Sequence, residues 1–522
     1  MAKLVYQNFL GLAPSGDTRT NLKFGRDWEI ANSTSLNLIT TPIGSLNIGL
    51  TAGGSLDANN EIDALIQRFV HTQSTSTTMN AYFVEAGDEI HENNSNDGIT
   101  TDDLANFPVA IIGQGTHAAH TTFVGEDIAV YRVGSDTRLF ISYNDNTDGD
   151  VAICDTTGAT TDFDFFSTAT GGVVLSINPH PLLVAPNNFL YVADGTAIHK
   201  FDSTGSGTVS STVIDLPFGW KIFDMIDYNG YCWILGGELL SSTNISGSRP
   251  PVKMGVFVWD YVRSNAADFS GFIKGTPFII ENCFPYIANS TQFGGKLFVH
   301  KGLIHLLVLG ANSRTQLRRF TGSNFDIIWE EPGNLMPNRG GVTSYFSHIL
   351  WASANGAICT FGSIASGFPE TFNNIGAVTS NAGAVTIGSG GNIWVSNNTT
   401  KLNLLTGTAL STSATLLIKE LPKLSKIIGI TIFYPPHSDS TSSTLTLDFY
   451  KNFSTTAISG TYTLTHADDR TRGWKYFPLG GENWDNINAL RIVLTWSLAS
   501  GATDSFEPYR IEVDYVSSEK KL

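Results

Sequence analysis

Charge is scarce in this sequence. Lys, Arg, Asp and Glu together make up 15% of 522 residues, against about 25% in an ordinary soluble domain. So thin a supply excludes a long helical or coiled-coil protein, which needs Glu and Lys along its solvent faces. Basic residues are the scarcer sign, with 31 Lys and Arg against 47 Asp and Glu and a net charge of −16. No dense Lys/Arg run occurs, and the negative field opposes non-specific binding to DNA or to an anionic membrane surface. Cysteine is limited to Cys154, Cys232, Cys283 and Cys359. These lie far apart with no CxxC pair, which argues against a disulfide framework or a cysteine zinc site. Three sit in apolar runs, as small hydrophobes do. No apolar stretch is long enough to span a bilayer. Residues 1–6 run into polar Gln7 and Asn8 without a continuous apolar segment, so no signal peptide is expected and synthesis in a cytoplasm is.

Uncharged polar residues take the place of charge. Gly contributes 51 residues and aromatics 11%, and Ser, Thr and Asn make up much of the rest of the polar surface. Hydroxyl and β-branched side chains suit a pleated surface, while Gly and Asn supply turns. The aromatic content excludes a disordered chain. The reading is a folded, all-β protein.

A short apolar strand carrying an aromatic, then a Gly or Asn turn, recurs through the middle of the chain. Its instances centre on Tyr82, Phe140, Tyr191, Trp233, Leu306, Trp351 and Trp394, at intervals of 58, 51, 42, 73, 45 and 43 residues. A period of roughly 40–50 residues with several strands per unit marks β-propeller blades. The long interval holds Thr243-Asn244-Ile245-Ser246-Gly247-Ser248-Arg249-Pro250-Pro251, a loop insertion that lengthens one blade. The expectation is a β-propeller of about seven blades over residues 57–409. Tyr191, Trp233, Trp351 and Trp394 read as packing between blades, with sugar stacking as the functional alternative.

Around 406–415 the pattern gives way to a Thr/Ser-rich connection. Residues 410–522 then read as a C-terminal β-sandwich, with strands over 427–434, 445–450, 461–465, 475–478, 489–496 and 509–516. Residues 1–56 form an extended N-terminal arm with no strong strand or helix pattern. Its Phe9, Leu12, Trp28 and Ile30 are apolar anchors without periodic partners, so they are candidate assembly contacts that need another surface to bury against.

The chemistry-bearing motifs are weak. Asn144, Asn146, Asp148 and Asp155 hold positions of a calcium loop with Gly149 at its turn, but the first is not Asp and the last is short. A plain hairpin loop explains the segment as well. His117 and His120 lack a third ligand at suitable spacing. Asp224, Asp227, Glu238, Glu330 and Glu331 are candidate glycosidase carboxylates, which would have to flank a bond at about 5–10 Å. Arginine is too scattered for a sialidase-type cluster. Neither a Gly-x-Ser-x-Gly elbow nor a Gly-x-x-x-x-Gly-Lys loop occurs. No catalytic residue, cofactor or metal is expected.

The arm carries Phe9-Leu10-Gly11-Leu12, Glu29-Ile30-Ala31-Asn32 and Ile43-Gly44-Ser45-Leu46, and the chain closes with Tyr509-Arg510-Ile511-Glu512-Val513-Asp514-Tyr515. With the first strand element, Ala81 to His91, these resemble the bacteriophage tail nozzle and related virion propeller proteins. The resemblance implies a propeller between an arm and a sandwich, built into a homo-oligomeric ring, a hexamer by family likeness, in the tail of the virion. It implies other tail proteins as partners, transient contact with phage DNA and synthesis in the host cytoplasm. The expected function is structural, guiding genome passage. A carbohydrate-binding adhesin is the alternative, and a glycan-cleaving propeller enzyme a further one.

Overall fold

The computed structural model describes residues 2–7, 9, 11–12, 29–34, 50–51, 54–55, 66–73, 79–85, 90–93 and 109–112, and from 124 to 517 all but short stretches, the longest 239–252. Strands dominate. Among the described residues, helix is confined to short pieces such as Phe165–Thr168, His466–Asp469 and a 3-10 turn at Glu482–Trp484.

Six small sheets of four or five strands follow one another, built from residues 66–112, 124–162, 182–215, 220–280, 283–332 and 382–404. Residues 337–377 fold into a four-strand meander of the same kind. Its last strand, Thr371–Ala377, pairs with the arm and thereby joins a larger, 16-stranded sheet. Where about seven blades were expected, the structure has six separate small sheets, and the meander 337–377 belongs to the larger sheet through its pairing with the arm. Each expected aromatic strand is the second strand of one of these units, except that the fifth sheet places two strands before it. First strands touch in sequence, from Ile66–Gln73 through Val124–Val133, Leu182–Val184, Trp220–Tyr228, Gly295–His300 and Pro337–Tyr345 to Ala382–Ile387, which returns to Ile66–Gln73. Such a closed ring of sheets is a β-propeller arrangement.

The local reasons are simple. Tyr228 pairs with Tyr231 across Asn229 and Gly230, both with positive φ (54° and 77°). That is the two-residue hairpin turn whose twist matches the strands, and Asn-Gly favours it. Strand Leu303–Gly310 is apolar almost throughout because both its faces are buried. Ile304, Leu306 and Val308 enter a core shared with the preceding sheet, while Leu307 and Leu309 enter one shared with the following meander. Strand His348–Ser353 divides in the same way, with Ile349 and Trp351 on one side and Leu350 and Ala352 on the other. Tyr191, Trp233 and Trp351 lie in such inter-sheet cores, and Trp394 is fully buried. The packing reading of these rings is the observed one.

The C-terminal strands fall where expected, but they do not separate into two sheets. Lys419–Phe433 pairs with Ile487–Leu498 through its first half and with Trp474–Pro478 and Arg510–Ser517 through its second. The change comes at an irregularity between Glu420 and Ser425, where Leu424 takes φ 59°. One continuous sheet thus folds over a single core that includes Ile430, Phe449, Leu494, Trp496 and Ile511. Ser411–Leu416, expected as a connection, is a strand of this sheet, because both its neighbours have free edges to offer it.

The arm is also strand, in short pieces. Ala2–Gln7 pairs antiparallel with Arg510–Ser517, Glu29–Thr34 with Ser411–Leu416, and Gly54–Ser55 with Asn403–Leu404, where it supplies the fourth strand of the last small sheet. Leu50–Thr51 bridges Gly376–Ala377 and Gly407–Thr408. Phe9 is 1% exposed and belongs to the C-terminal core. Leu12 and Ile30 stand opposite each other in parallel pairing, Leu12 also meeting Phe372 and Ile30 Leu416. Trp28 lies outside the described residues. Phe9 is thus buried within its own chain, not kept for a neighbour, because the C-terminal sheet offers the apolar surface it lacks locally.

Phe9→Ala should therefore destabilise the protein by about 3–5 kcal/mol, the usual cost of a truncated buried Phe. Guanidinium titration followed by Trp fluorescence checks this. A midpoint unchanged from the wild type would show that the arm is not part of the core.

Candidate functional site

The first strand of each sheet is an edge, and its inward N–H groups have no ladder partner. Acidic residues from neighbouring sheets fill that role. A bulge between Gly125 and Asp127 breaks the pairing with the second strand. Glu126 then accepts the backbone N–H of His180 at 2.7 Å, and Asp127 Oδ2 that of Leu182 at 2.9 Å. A matching bulge between Ile222 and Asp224 lets Asp224 Oδ2 accept the N–H of Leu297 at 2.8 Å. In both cases a bulged carboxylate ties down the first strand of the next sheet.

Each of these aspartates also meets a cation from another sheet. Arg68, placed by a third bulge after Ile66, donates to Asp127 Oδ1 at 2.6 Å. Lys296 donates to Asp224 Oδ1 at 2.9 Å. The aspartate side chains are 1% and 5% exposed and Lys296 13%. Asp127 is the main cause holding the Arg68 guanidinium above its ordinary pKa, with Asp224 adding to it at longer range. Burial pushes Lys296 down, against the pull of Asp224. The four charges sum to zero across first strands of four sheets. Sequence reasoning named Asp224 as a glycosidase candidate and missed Arg68, Asp127 and Lys296. The available signal was a lone charge inside an otherwise apolar strand.

As chemistry, these carboxylates act as struts, with their oxygens accepting protein donors. Asp227 accepts the Tyr261 hydroxyl at 2.7 Å, and Glu330 is ion-paired with Arg314. Asp224 and Asp227 are three residues apart on one strand, and so point to opposite faces. Glu330 and Glu331 lie on the outer strand of a different sheet, and the Glu238 side chain lies outside the described residues. Neither Asp224 with Asp227 nor Glu330 with Glu331 shares a face of its strand.

The calcium reading fails on register. Asn144 pairs with Gly149 at the tip of a hairpin, whereas Asp155 pairs with Arg138 at its far end. Six residues of strand, roughly 20 Å, separate them. Asn144 instead donates to Glu126. Asn146, His117 and His120 lie outside the described residues, and among the described residues no three His, Cys, Asp or Glu groups are placed to hold a metal ion. Cys232, Cys283 and Cys359 are buried free thiols whose pKa values burial raises.

A histidine cluster that sequence reasoning missed joins the fifth sheet to the meander 337–377. His305 Nδ1 faces the Leu303 carbonyl at 3.0 Å, and Arg319 Nε donates to its Nε2 at 3.1 Å. Arg319 reaches on to Glu370 at 2.6 Å. His300 Nε2 meets the Ser347 carbonyl at 3.2 Å, and His348 Nδ1 the Ser347 hydroxyl at 3.3 Å. Burial, with Arg319 beside it, holds His305 down to about 4. Burial, with Lys301 and His300 nearby, does the same for His348.

Two outcomes follow. Asp224→Asn leaves Lys296 buried without its counter-charge, and should cost about 3–5 kcal/mol. Lys296→Met in the same chain should recover much of it, as denaturant melts can read. The histidines give a pH dependence of fixed sign. They are neutral when folded but take up protons below 6.5 when unfolded, so stability is complete above that pH and falls towards about 4. Asp150, raised by burial from 3.8 to about 6, opposes this, since its contribution is fullest at low pH and is lost as pH rises through 6. With His305 and His348 against one Asp, thermal melts should show a net fall between pH 6.5 and 4 that His305→Gln makes shallower. A melting temperature that rises over this range would contradict the assignment.

No protein-family description and no curated protein matches the chain. Among solved structures it is similar to the WD40 repeats of RRP9, at 10% identity over 69% of this chain and 99% of that one, with a TM-score of 0.43. It is similar also to U3-55K, at 8% identity over 66% and 96% of the two chains and a TM-score of 0.41. A glycoside hydrolase aligns over 88% of this chain and 99% of its own, at 12% identity and a TM-score of 0.29. The propeller arrangement rests on the strand pairing described above, not on these likenesses. The chain is an all-β protein built as an arrangement of propeller sheets.

Proposed function

We propose that this protein is a structural, non-enzymatic component of a tailed bacteriophage virion, forming part of a nozzle or tail-tip ring through which the genome passes. In this reading the meander 337–377 serves as the seventh blade, and the strands 411–517 with Ala2–Gln7 form a sandwich-like second body. The observation that carries the proposal is the threading of the arm through both parts, which suits a chain whose task is to stay rigid under load. The arm motifs that resemble nozzle proteins point the same way.

Two further features support it. Asp224, one of the carboxylates that hydrolysis could use, is spent on holding two sheets together, and a net charge of −16 suits a passage that must not retain DNA, because like charge limits phosphate contact. Further copies of the chain in a hexameric ring and other tail proteins are its partners, with phage DNA in transient contact. The protein works in the virion tail after synthesis in the host cytoplasm. No described helix is long and apolar enough to cross a membrane.

Negative-stain electron microscopy with native mass spectrometry tests this on the purified full chain. Closed rings of one size are expected, six-fold by family likeness, and no release of reducing ends from polysaccharides over long incubation. A protein that stays monomeric at all accessible concentrations would overturn the ring, and hydrolysis abolished by Glu330→Gln would overturn the non-enzymatic reading.

A further inference from the structure

The outer face of the C-terminal sheet carries aromatic rings that stand about half exposed among the described residues. Trp474 is 54% exposed, Tyr509 42% and Tyr476 41%. Strand pairing places them together. Phe433 stands opposite Trp474 on one side and Arg510 on the other, Thr431 stands between Tyr476 and Glu512, and the Phe433 and Tyr509 rings are 6.5 Å apart. The Arg510 guanidinium lies over the Phe433 ring at 5.7 Å.

One of these rings, Tyr476, is held flat against the sheet. Tyr476 lies across Gly429, where a Cβ would fall 2.1 Å from its Oη and 2.3 Å from its ring carbons. The missing side chain lets this ring rest on the sheet with one face outward. Across Thr431 from it, the buried Glu512 is ion-paired with both Lys3 and Arg510 and so fixes two partly exposed donors. Two cations, Lys3 and Arg510, stand against two carboxylates, Glu512 and Asp514, so the patch has no net charge to draw an ionic ligand.

We infer that this face binds a neutral saccharide, its C–H faces stacked on Trp474 and Tyr476 and its hydroxyls bonded by Arg510 and Lys3. Exposed rings, one of them laid flat, on the same face as fixed donors suit a ligand that is apolar on its ring faces and polar at its rim. A second copy of the chain fits less well. Three half-exposed rings offer about 300 Å² of contact, well short of the roughly 800 Å² per partner of a stable interface. The charge balance speaks against acidic polymers.

Native affinity electrophoresis of the full chain through dextran, mannan, xylan, galactan and starch, with heparin as the charged comparison, tests this. At least one neutral polymer should retard the wild type. Trp474→Ala and Tyr476→Ala should each weaken retardation tenfold or more, while Tyr476→Phe keeps it. Gly429→Val keeps every aromatic residue but denies Tyr476 its seat, and should weaken retardation as well. Melting curves of the Trp474 and Tyr476 variants should match the wild type. Retardation by heparin alone, by no polymer, or equally in wild type and Trp474→Ala would overturn the inference. So would self-association in sedimentation that Trp474→Ala abolishes, which would give the face to a second copy.

Discussion

An antiparallel sheet ends in edges, and unsatisfied edge groups are the standing hazard of an all-β protein. Here the closing of edges governs the architecture. On the inner side, bulged carboxylates from one sheet cap the first strand of the next, as Asp127 does for Leu182 and Asp224 for Leu297. On the outer side the arm adds Gly54–Ser55 to the last small sheet and Ala2–Gln7 to the C-terminal one. Both devices join parts of the chain far apart in sequence, so rigidity comes with closure.

This explains where a charge-poor sequence spends its few ions. Arg68, Asp127, Asp224 and Lys296 are mutually compensating and largely buried. Their desolvation is costly, and a buried ion pair by itself adds little net stability. What it supplies here is register, since each aspartate fixes a backbone N–H of the neighbouring sheet as well as a cation. The same economy holds for the arm, where Lys419 donates to the Val5 carbonyl at 2.6 Å and lies over the Tyr6 ring. The histidine cluster is a third fastening between units, built from neutral groups and for that reason dependent on pH.

Much of the fold was legible in the sequence. Apolar runs such as Ile304–Leu309 announce strands buried on both faces, and the recurring spacing of Tyr191, Trp233, Trp351 and Trp394 marks one such strand per unit. Asn229-Gly230 marks its hairpin outright. What stayed hidden depends on partners remote in sequence. Asp224 looks the same whether it will meet a glycosidic bond or Lys296, 72 residues on. Asn144 and Asp155 fit a loop spacing until the register separates them. Ser411–Leu416 and the arm strands have weak patterns of their own because their partners define them. Tyr476 was read within a strand and Trp474 just before it, but which face they take depends on the core opposite, so their exposure was not visible.

The central claim, that the arm is an integral strand system closing both parts of the molecule, is most directly tested by hydrogen exchange with mass spectrometry. Peptides covering residues 2–7 and 54–55 should be protected to the same degree as their partners at 510–517 and 403–404, and should open together with them, since paired strands share one cooperative unit. Rapid exchange of the arm peptides while Leu303–Gly310 and Ile487–Leu498 stay protected would contradict the account.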